Sequence, residues 1–216
     1  TIHQIWSSCN KPLPKAFVDL ANTWKEFHPD WQYIFWDDQK MTAFMQRYYP
    51  DYVNFYNRFA YDVQRWDVIR YLILYQVGGL YVDFDTECLA NIEALLTADC
   101  CFGTDTKDNI IYAPLVKNAY LNNTYIASVP KHPFLKSVID HVFNSDQMYV
   151  KEENKLLQVL RTSGALMLSD VYNQYAFKEQ IHVIPAEDLA PFSLLEAHAI
   201  LAGEEKDEWN ERLQKA

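Results

Sequence analysis

The part of the chain that most constrains the fold is residues 60 to 88, with the sequence AYDVQRWDVIRYLILYQVGGLYVDFDTEC. Apolar residues recur at helical spacing from Val63 to Gln76, which predicts a helix with two neighbouring apolar stripes. Gly78 and Gly79 come next, and glycines that tolerate left-handed backbone angles commonly end helices. From Leu80 to Asp85 apolar and polar residues alternate, so a strand is expected to follow the helix almost without a connection.

The predicted strand places the carboxylates of Asp83 and Asp85 on one face, about 7 Å apart at the backbone. Two such groups repel each other and are costly to bury unpaired, and a divalent cation removes both problems. Hard oxygen ligands suit magnesium, manganese or calcium, and magnesium commonly binds one or two carboxylates together with substrate phosphates. The alternative is a strand end with two solvated aspartates, since Asp-x-Asp is a common tripeptide.

Other segments complete the pattern of alternating strands and helices. Strand-like patterns cover residues 1–6, 31–36, 100–103, 110–116, 125–129 and 181–184. Helical patterns cover residues 15–27, 38–58 with a break near Pro50, 133–143, 152–160, 165–176 and 204–215. This alternation is typical of an α/β domain with a mostly parallel central sheet flanked by helices.

Charge and cysteine content limit the partners and the compartment. The formal net charge of −10 argues against nucleic acid or an anionic membrane as the main partner, although a nucleotide held by a metal ion remains compatible with it. No stretch approaches ~18 consecutive apolar residues, so no transmembrane helix is predicted. The four cysteines lack zinc-site spacing, which favours reduced thiols in a cytoplasmic protein, at most peripheral at the inner face of a membrane. The chain does not begin with methionine, and we expect its ends to be trimmed.

The central stretch resembles the signature of the family-32 glycosyltransferases, the group whose sugar-binding region contains a DXD motif. The pattern is D-x-x-R-Y-x-x-L-Y-x-x-G-G-x-Y-x-D-x-D, and yeast mannosyltransferases, bacterial capsule and lipopolysaccharide transferases and clostridial glucosylating toxins carry related forms. The matching residues are Asp67, Arg70, Tyr71, Leu74, Tyr75, Gly78, Gly79, Tyr81, Asp83 and Asp85. Trp66 departs from the pattern, because the family usually has a small residue there.

The resemblance implies a GT-A-type nucleotide-sugar transferase fold, with residues 1–216 as a single domain. It implies that Mn²⁺ or Mg²⁺ binds at Asp85 and Asp83, and that Asp67 and Arg70 contact the donor hexose, with Arg70 also near the diphosphate. Arginine suits this role because its planar guanidinium holds oxygen acceptors bidentately. From spacing alone, Asp67 and Arg70 could equally form an ion pair on a solvated helix face, since residues three apart share a face. The donor-binding residues implied are Trp6, Asp67, Arg70, Tyr71, Gly79, Asp83, Asn123 and Ser163; the catalytic residues are Asp67, Arg70, Asp83 and Asp85.

Several of these assignments keep a structural alternative. Trp6, in the I-H-x-I-W-like opening, would stack on the donor base but could be a core tryptophan, and His3 is expected to be a core histidine. Asn123 would hold the sugar or acceptor but could be a turn asparagine. Ser163 lies in S-G-A where the family usually has T-G-P. His198 is a candidate third metal ligand, with a surface histidine as the alternative.

The function predicted on this basis is metal-dependent, configuration-retaining transfer of a hexose from UDP- or GDP-hexose to a saccharide or lipid-linked acceptor. The expected setting is synthesis of a bacterial surface polysaccharide such as a capsule. One alternative is a metal-dependent phosphohydrolase or nucleotidyltransferase that uses the same aspartates. The other is a non-catalytic module that binds carbohydrate or calcium.

Overall fold

A computed structural model describes residues 1–8, 11–104, 120–144, 152 and 154–190 of the protein. The strands are β1 (Ile2–Ile5), β2 (Tyr33–Trp36), β3 (Gly79–Val82), β4 (Cys100–Thr104), β5 (Leu121–Ser128) and β6 (Ile181–Ile184). They form a six-stranded sheet in the order β2-β1-β3-β5-β4-β6. β5 is antiparallel to both its neighbours, while the other pairs are parallel. The predicted mostly parallel α/β sheet is therefore confirmed.

Helices flank the sheet. They are α1 (Lys15–Phe27), α2 (Asp38–Tyr48), α3 (Val53–Tyr56), α4 (Asp62–Val77), α5 (Pro133–Asn144), α6 (Lys155–Thr162), α7 (Ala165–Gln174) and α8 (Ala186–Leu189). The predicted break near Pro50 is a short 3₁₀ turn, Pro50–Tyr52, between α2 and α3. No helix in the described ranges combines the length and apolarity needed to cross a membrane. The predicted strand 110–116 and helix 204–215 lie outside the described residues, so the single domain over residues 1–216 stays a prediction.

Gly78 and Gly79 turn the chain directly from α4 into β3, as expected. Their φ angles are +72° and +108°, which L side chains rarely adopt. The space is also closed, because a Cβ on Gly78 would lie 2.6 Å from Pro130 Cδ, and one on Gly79 would lie 2.6 Å from the Thr1 carbonyl oxygen. Helix and strand are thus joined with no loop that could change their relative position.

The prediction that the strand continues to Asp85 is wrong, since β3 ends at Val82. Asp83 still donates its backbone N–H to Thr124 O at 3.2 Å, and the chain then turns. Phe84 is buried because it meets a distant ring, Phe35, edge-on with ring centroids 5.7 Å apart. Its apolar character reflects this packing and not a continuing strand. Asp83 and Asp85 therefore lie on a turn instead of sharing a strand face.

The two sides of the sheet carry separate apolar clusters. The larger contains most of α4 and α5 and encloses Tyr81, while the smaller contains Leu80, Val82 and Trp24. The predicted alternation thus holds within β3. His3 is a core histidine, as expected: it accepts from Trp36 Nε1 at 3.0 Å and donates to Gly78 O at 2.8 Å. Burial lowers the pKa of His3 to about 4, which keeps the ring neutral.

Candidate active site

The candidate site lies at the carboxyl ends of β1 and β3, where the chain changes direction across the sheet. β1 pairs in parallel with β2 on one side and with β3 on the other. In open α/β sheets, ligands bind in the crevice outside the strand ends at such a switch point. Trp6 follows β1 and Asp83 follows β3, so two of the predicted site residues lie at this crevice.

Asp67 and Arg70 form an ion pair inside the protein, with 3.0 Å between Asp67 Oδ1 and Arg70 Nη2. Their side chains are 6% and 7% exposed, so the alternative of an ion pair on a solvated helix face is wrong. Arg70 Nη1 also lies 3.2 Å from Asp83 Oδ1. Arg70 therefore links α4 to the first aspartate of the predicted metal pair.

The tight connection between α4 and β3 explains why these residues meet. Arg70 precedes Gly78 by eight residues, which is about 12 Å along a helix. Asp83 follows Gly79 by four residues, which is about 13 Å along a strand. Because α4 ends at this turn and β3 begins there, Arg70 and Asp83 lie at about the same distance from it and therefore side by side. This contact was not among the sequence-based predictions, although the number of residues on each side of the glycine turn implies it.

Asn123 in β5 and Ser163 between α6 and α7 enclose the buried carboxylate of Asp67. Asn123 Nδ2 donates to Asp67 Oδ1 at 3.0 Å, and Ser163 Oγ donates to Asp67 Oδ2 at 2.9 Å. Arg70 Nη1 donates to the backbone oxygen of Asn123 at 2.8 Å. The hydroxyl of Tyr71 donates to the backbone oxygen of Ser163 at 2.9 Å. Asn123 is a strand residue, so the alternative of a turn asparagine is wrong.

Tyr81 is a site residue to which the sequence analysis assigned no role. Its hydroxyl donates to Asp83 Oδ1 at 2.5 Å, and its ring lies 4.5 Å from the guanidinium carbon of Arg70. The alternation along β3, which places Tyr81 and Asp83 on the same face, was the signal that could have found it. We call the connected set the Asp67 cluster; its members are Asp67, Arg70, Tyr71, Tyr81, Asp83, Asn123 and Ser163.

Burial and charge perturb the ionisation of this region. Burial raises the pKa of the Asp67 carboxyl, while Arg70 and the hydrogen bond from Ser163 oppose the shift. Burial also raises the pKa of Tyr81 well above its usual value, so its hydroxyl stays protonated and donates to Asp83. Desolvation and the negative charge of Asp83 raise the pKa of Asp85. A cation between the two aspartates would relieve that repulsion.

The two aspartates suit a hard divalent cation that takes its remaining ligands from substrate. Asp83 Oδ1 is engaged by Arg70 and Tyr81, whereas Oδ2 has no partner among the described residues. Asp85 is exposed. Among the described residues, no group of three His, Cys, Asp or Glu side chains could hold a metal by itself. This arrangement matches the chemistry of magnesium-type sites, which use one or two carboxylates together with phosphate oxygens and water.

Within the described structure, three predicted residues lie outside the Asp67 cluster: Trp6, Gly79 and Asp85. Trp6 is half-buried beside the aspartate turn, with its ring edge-on to Phe84 at 6.2 Å between centroids and its Nε1 donating to Lys11 O at 3.2 Å. Gly79 begins β3, about 13 Å of strand away from Asp83, and its role in donor binding stays a prediction. His198 lies outside the described residues.

Trp66, which departs from the family pattern, lines a cavity of about 250 Å³. The cavity lies between α2, α3 and the beginning of α4, and Ser7 and Asp38 also border it. The backbone oxygen of Trp66 accepts a hydrogen bond from Arg70 Nε at 3.3 Å. The large side chain is thus accommodated between this cavity and the larger apolar cluster, against which it packs.

Comparison with known proteins shows which family and which enzymes this chain is similar to. Residues 14–102 match the family described as glycosyltransferase sugar-binding region containing DXD motif. The chain is 31% identical over 190 residues to inositol phosphoceramide mannosyltransferase 1 of Schizosaccharomyces pombe, covering 86% of this chain and 55% of that protein. It is 30% identical over 174 residues to a mannosyl phosphorylinositol ceramide synthase of Saccharomyces cerevisiae, covering 81% of this chain and 41% of that protein.

A solved structure shares the fold at low sequence identity. The PaToxG glycosyltransferase superimposes with a TM-score of 0.59 and 16% identity, covering 98% of this chain and 82% of that chain. The expected GT-A-type fold is therefore confirmed. The chain spans about half the length of the curated relatives it matches.

Proposed function

This chain belongs to the glycosyltransferase family whose sugar-binding region contains a DXD motif, and on that premise we propose metal-dependent transfer of a hexose from a nucleotide sugar. The observation that carries the proposal is the position of Arg70. Its buried guanidinium pairs with Asp67 on one side and Asp83 on the other. A fixed positive charge beside the partly buried Asp83 and the exposed Asp85 is suited to a diphosphate whose negative charge grows as the sugar departs.

In the proposed mechanism, Asp85 and the free oxygen of Asp83 would hold Mn²⁺ or Mg²⁺. The bound metal would supply Lewis-acid stabilisation of the leaving group. Arg70 adds charge from a preorganised position, since Asp67 and Asp83 fix its guanidinium. The family resemblance implies retention of configuration by attack on the same face of the sugar, so no general base is assigned.

The Asp67 carboxylate has a supporting part in this proposal. Both of its oxygens are engaged, by Arg70 and Asn123 on one and by Ser163 on the other. Asp67 is 5% exposed, while Asp83 and Asn123 are only partly buried. We propose that the hexose lies against the open edge formed by Asp83 and Asn123. Asp67 then orients Asn123 and Arg70 from behind.

The relatives support a choice of sugar and acceptor. One is named an inositol phosphoceramide mannosyltransferase, and another is named a mannosyl phosphorylinositol ceramide synthase. We propose mannose as the hexose and a glycolipid or lipid-linked saccharide as the acceptor, with UDP and GDP both open as the nucleotide. Synthesis of a bacterial surface polysaccharide remains a narrower form of this proposal.

A cytoplasmic location, at most peripheral to a membrane, is also proposed. The free and buried thiols of Cys88, Cys100 and Cys101 support a reducing compartment. Intact-mass measurement of the native protein under non-reducing conditions tests it. A disulfide involving any cysteine would contradict this location.

A donor panel tests the proposed function. UDP- and GDP-hexoses are scored by thermal shift with and without Mn²⁺, because a ligand that binds only the native state raises its stability. The stabilising donor is then incubated with mannose-free glycolipid and with free saccharides. We expect stabilisation only with metal, and sugar on an acceptor. Release of sugar to water alone would favour the phosphohydrolase, and stabilisation by free glycans without nucleotide would favour the carbohydrate-binding module.

A further inference from the structure

The turn that carries the two aspartates is closed by the hydroxyl of Thr86. Thr86 Oγ1 donates to the backbone oxygen of Asp83 at 2.6 Å, and Gln4 Nε2 donates to the same oxygen at 3.2 Å. Thr86 is 8% exposed, so water competes little for this hydrogen bond. The bond spans Phe84 and Asp85 and fixes the path of the chain between the two carboxylates.

Helix α1 holds Thr86 from behind. Trp24, which is 1% exposed, donates from Nε1 to the backbone oxygen of Thr86 at 3.0 Å. Further along, Thr23 Oγ1 accepts from the backbone N–H of Cys88 at 2.8 Å, and His28 Nε2 accepts from that of Ile92 at 3.1 Å. The loop after the aspartates is thereby attached at three successive points to α1 and to His28, the residue that follows it.

Asp85 is exposed within this otherwise buried turn. Phe84 before it is 5% exposed and packs edge-on against Trp6 and Phe35. Thr86 after it is buried and doubly hydrogen-bonded. The direction of the Asp85 side chain is therefore set by its two anchored neighbours.

We propose that Thr86, supported by Trp24, is a positioning residue that holds the carboxylates of Asp83 and Asp85 in the arrangement that binds one divalent cation. The inference rests on the metal role proposed above and names the residues that create the site without touching the ion. Without the hydroxyl of Thr86, the turn is less ordered in the free protein, and ordering it on binding the ion lowers the affinity. A single buried hydrogen bond of this kind corresponds to a two- to tenfold change in affinity.

Mn²⁺ binding by the purified full chain tests this inference. Free Mn²⁺ is measured by electron paramagnetic resonance during titration, with Mn²⁺ alone and with UDP or GDP present. Thr86→Val should weaken Mn²⁺ binding two- to tenfold, and Thr86→Ser should restore it because serine keeps the hydroxyl. Trp24→Phe should weaken it as well, since a phenyl ring keeps part of the packing while the N–H is lost.

Thr23→Val is the matched control, because it removes a hydroxyl from the same loop attachment but at a point beyond the turn. It should lower the melting temperature and leave Mn²⁺ affinity unchanged. An equal loss of Mn²⁺ affinity in Thr23→Val and Thr86→Val would overturn the inference, since the general rigidity of the loop would then explain both. Wild-type affinity in Thr86→Val would also overturn it. A wild-type protein that binds no Mn²⁺ would refute the metal role together with the inference, and if Thr86→Val does not fold, Trp24→Phe decides.

Discussion

Replacement of Arg70 by methionine is the perturbation that tests the buried cluster most directly. Arg70 contacts two carboxylates and two backbone oxygens with 7% of its side chain exposed. Methionine fills much of the volume but leaves Asp67 buried with hydrogen bonds and no positive charge. Breaking a buried ion pair in this way costs about 3–5 kcal/mol. For a domain of this size, that loss lowers the melting temperature by roughly 6–20 °C.

The pH dependence of this loss has a defined sign. Burial already raises the pKa of Asp67, and removal of Arg70 takes away the charge that opposes the shift. The folded Arg70→Met protein then binds a proton that the unfolded chain releases at neutral pH. Its stability deficit should therefore be smaller at pH 5.5 than at pH 8. Urea unfolding of wild type and variant at both pH values measures it.

Two further variants make the result specific. Arg161→Met is the control, because Arg161 is 48% exposed and lies 3.6 Å from Glu152; we expect a change below about 1 kcal/mol. Asp67→Asn combined with Arg70→Met removes both charges and should recover much of the lost stability without recovering activity. A loss below about 1 kcal/mol for Arg70→Met alone, equal to the control, would refute the buried bridge between Asp67 and Asp83.

Three other variants test separate parts of the site. Asp85→Asn should keep the wild-type melting temperature and lose Mn²⁺-dependent nucleotide binding; wild-type turnover in excess chelator would contradict the metal role. Trp6→Ala should weaken binding of nucleotide and nucleotide sugar alike, by roughly 1–3 kcal/mol in calorimetry. Asp67→Ala should weaken binding of the nucleotide sugar more than that of the plain nucleotide; equal effects on both ligands would show that the roles are wrongly divided. Gly79→Ala should destabilise by about 1–3 kcal/mol because of its positive φ, and unchanged stability would argue against the strained turn.

The sequence predicted the α4–β3 unit well because its signals are local. Helical spacing, two glycines and strand alternation all lie within one short stretch. The same stretch also indicated that Asp67 and Arg70 are buried. Every residue from 66 to 75 other than these two is apolar or aromatic, and a helical segment that is apolar nearly all round is buried. Treating their face as solvated overlooked this signal.

Other features of the site depend on contacts that no local pattern contains. The strand was predicted to reach Asp85 because Phe84 is apolar, yet Phe84 is buried by Phe35 from a distant strand. Thr86 was passed over because its partner Trp24 lies 62 residues away. The antiparallel direction of β5 is likewise seen only in its pairing with β3 and β4, which no local pattern within residues 121–128 contains.

The loop-free join at Gly78 has a consequence for how the site can vary. The relative height of Arg70 and Asp83 depends only on the number of residues on each side of the turn. One residue inserted into α4 between them would rotate Arg70 by about 100° around the helix axis. One residue inserted into β3 would move Asp83 to the opposite face of the sheet. The geometry of the site therefore depends on the number of residues between Arg70 and Asp83 as much as on their identity. Natural or engineered insertions and deletions can be accepted only outside residues 70–83.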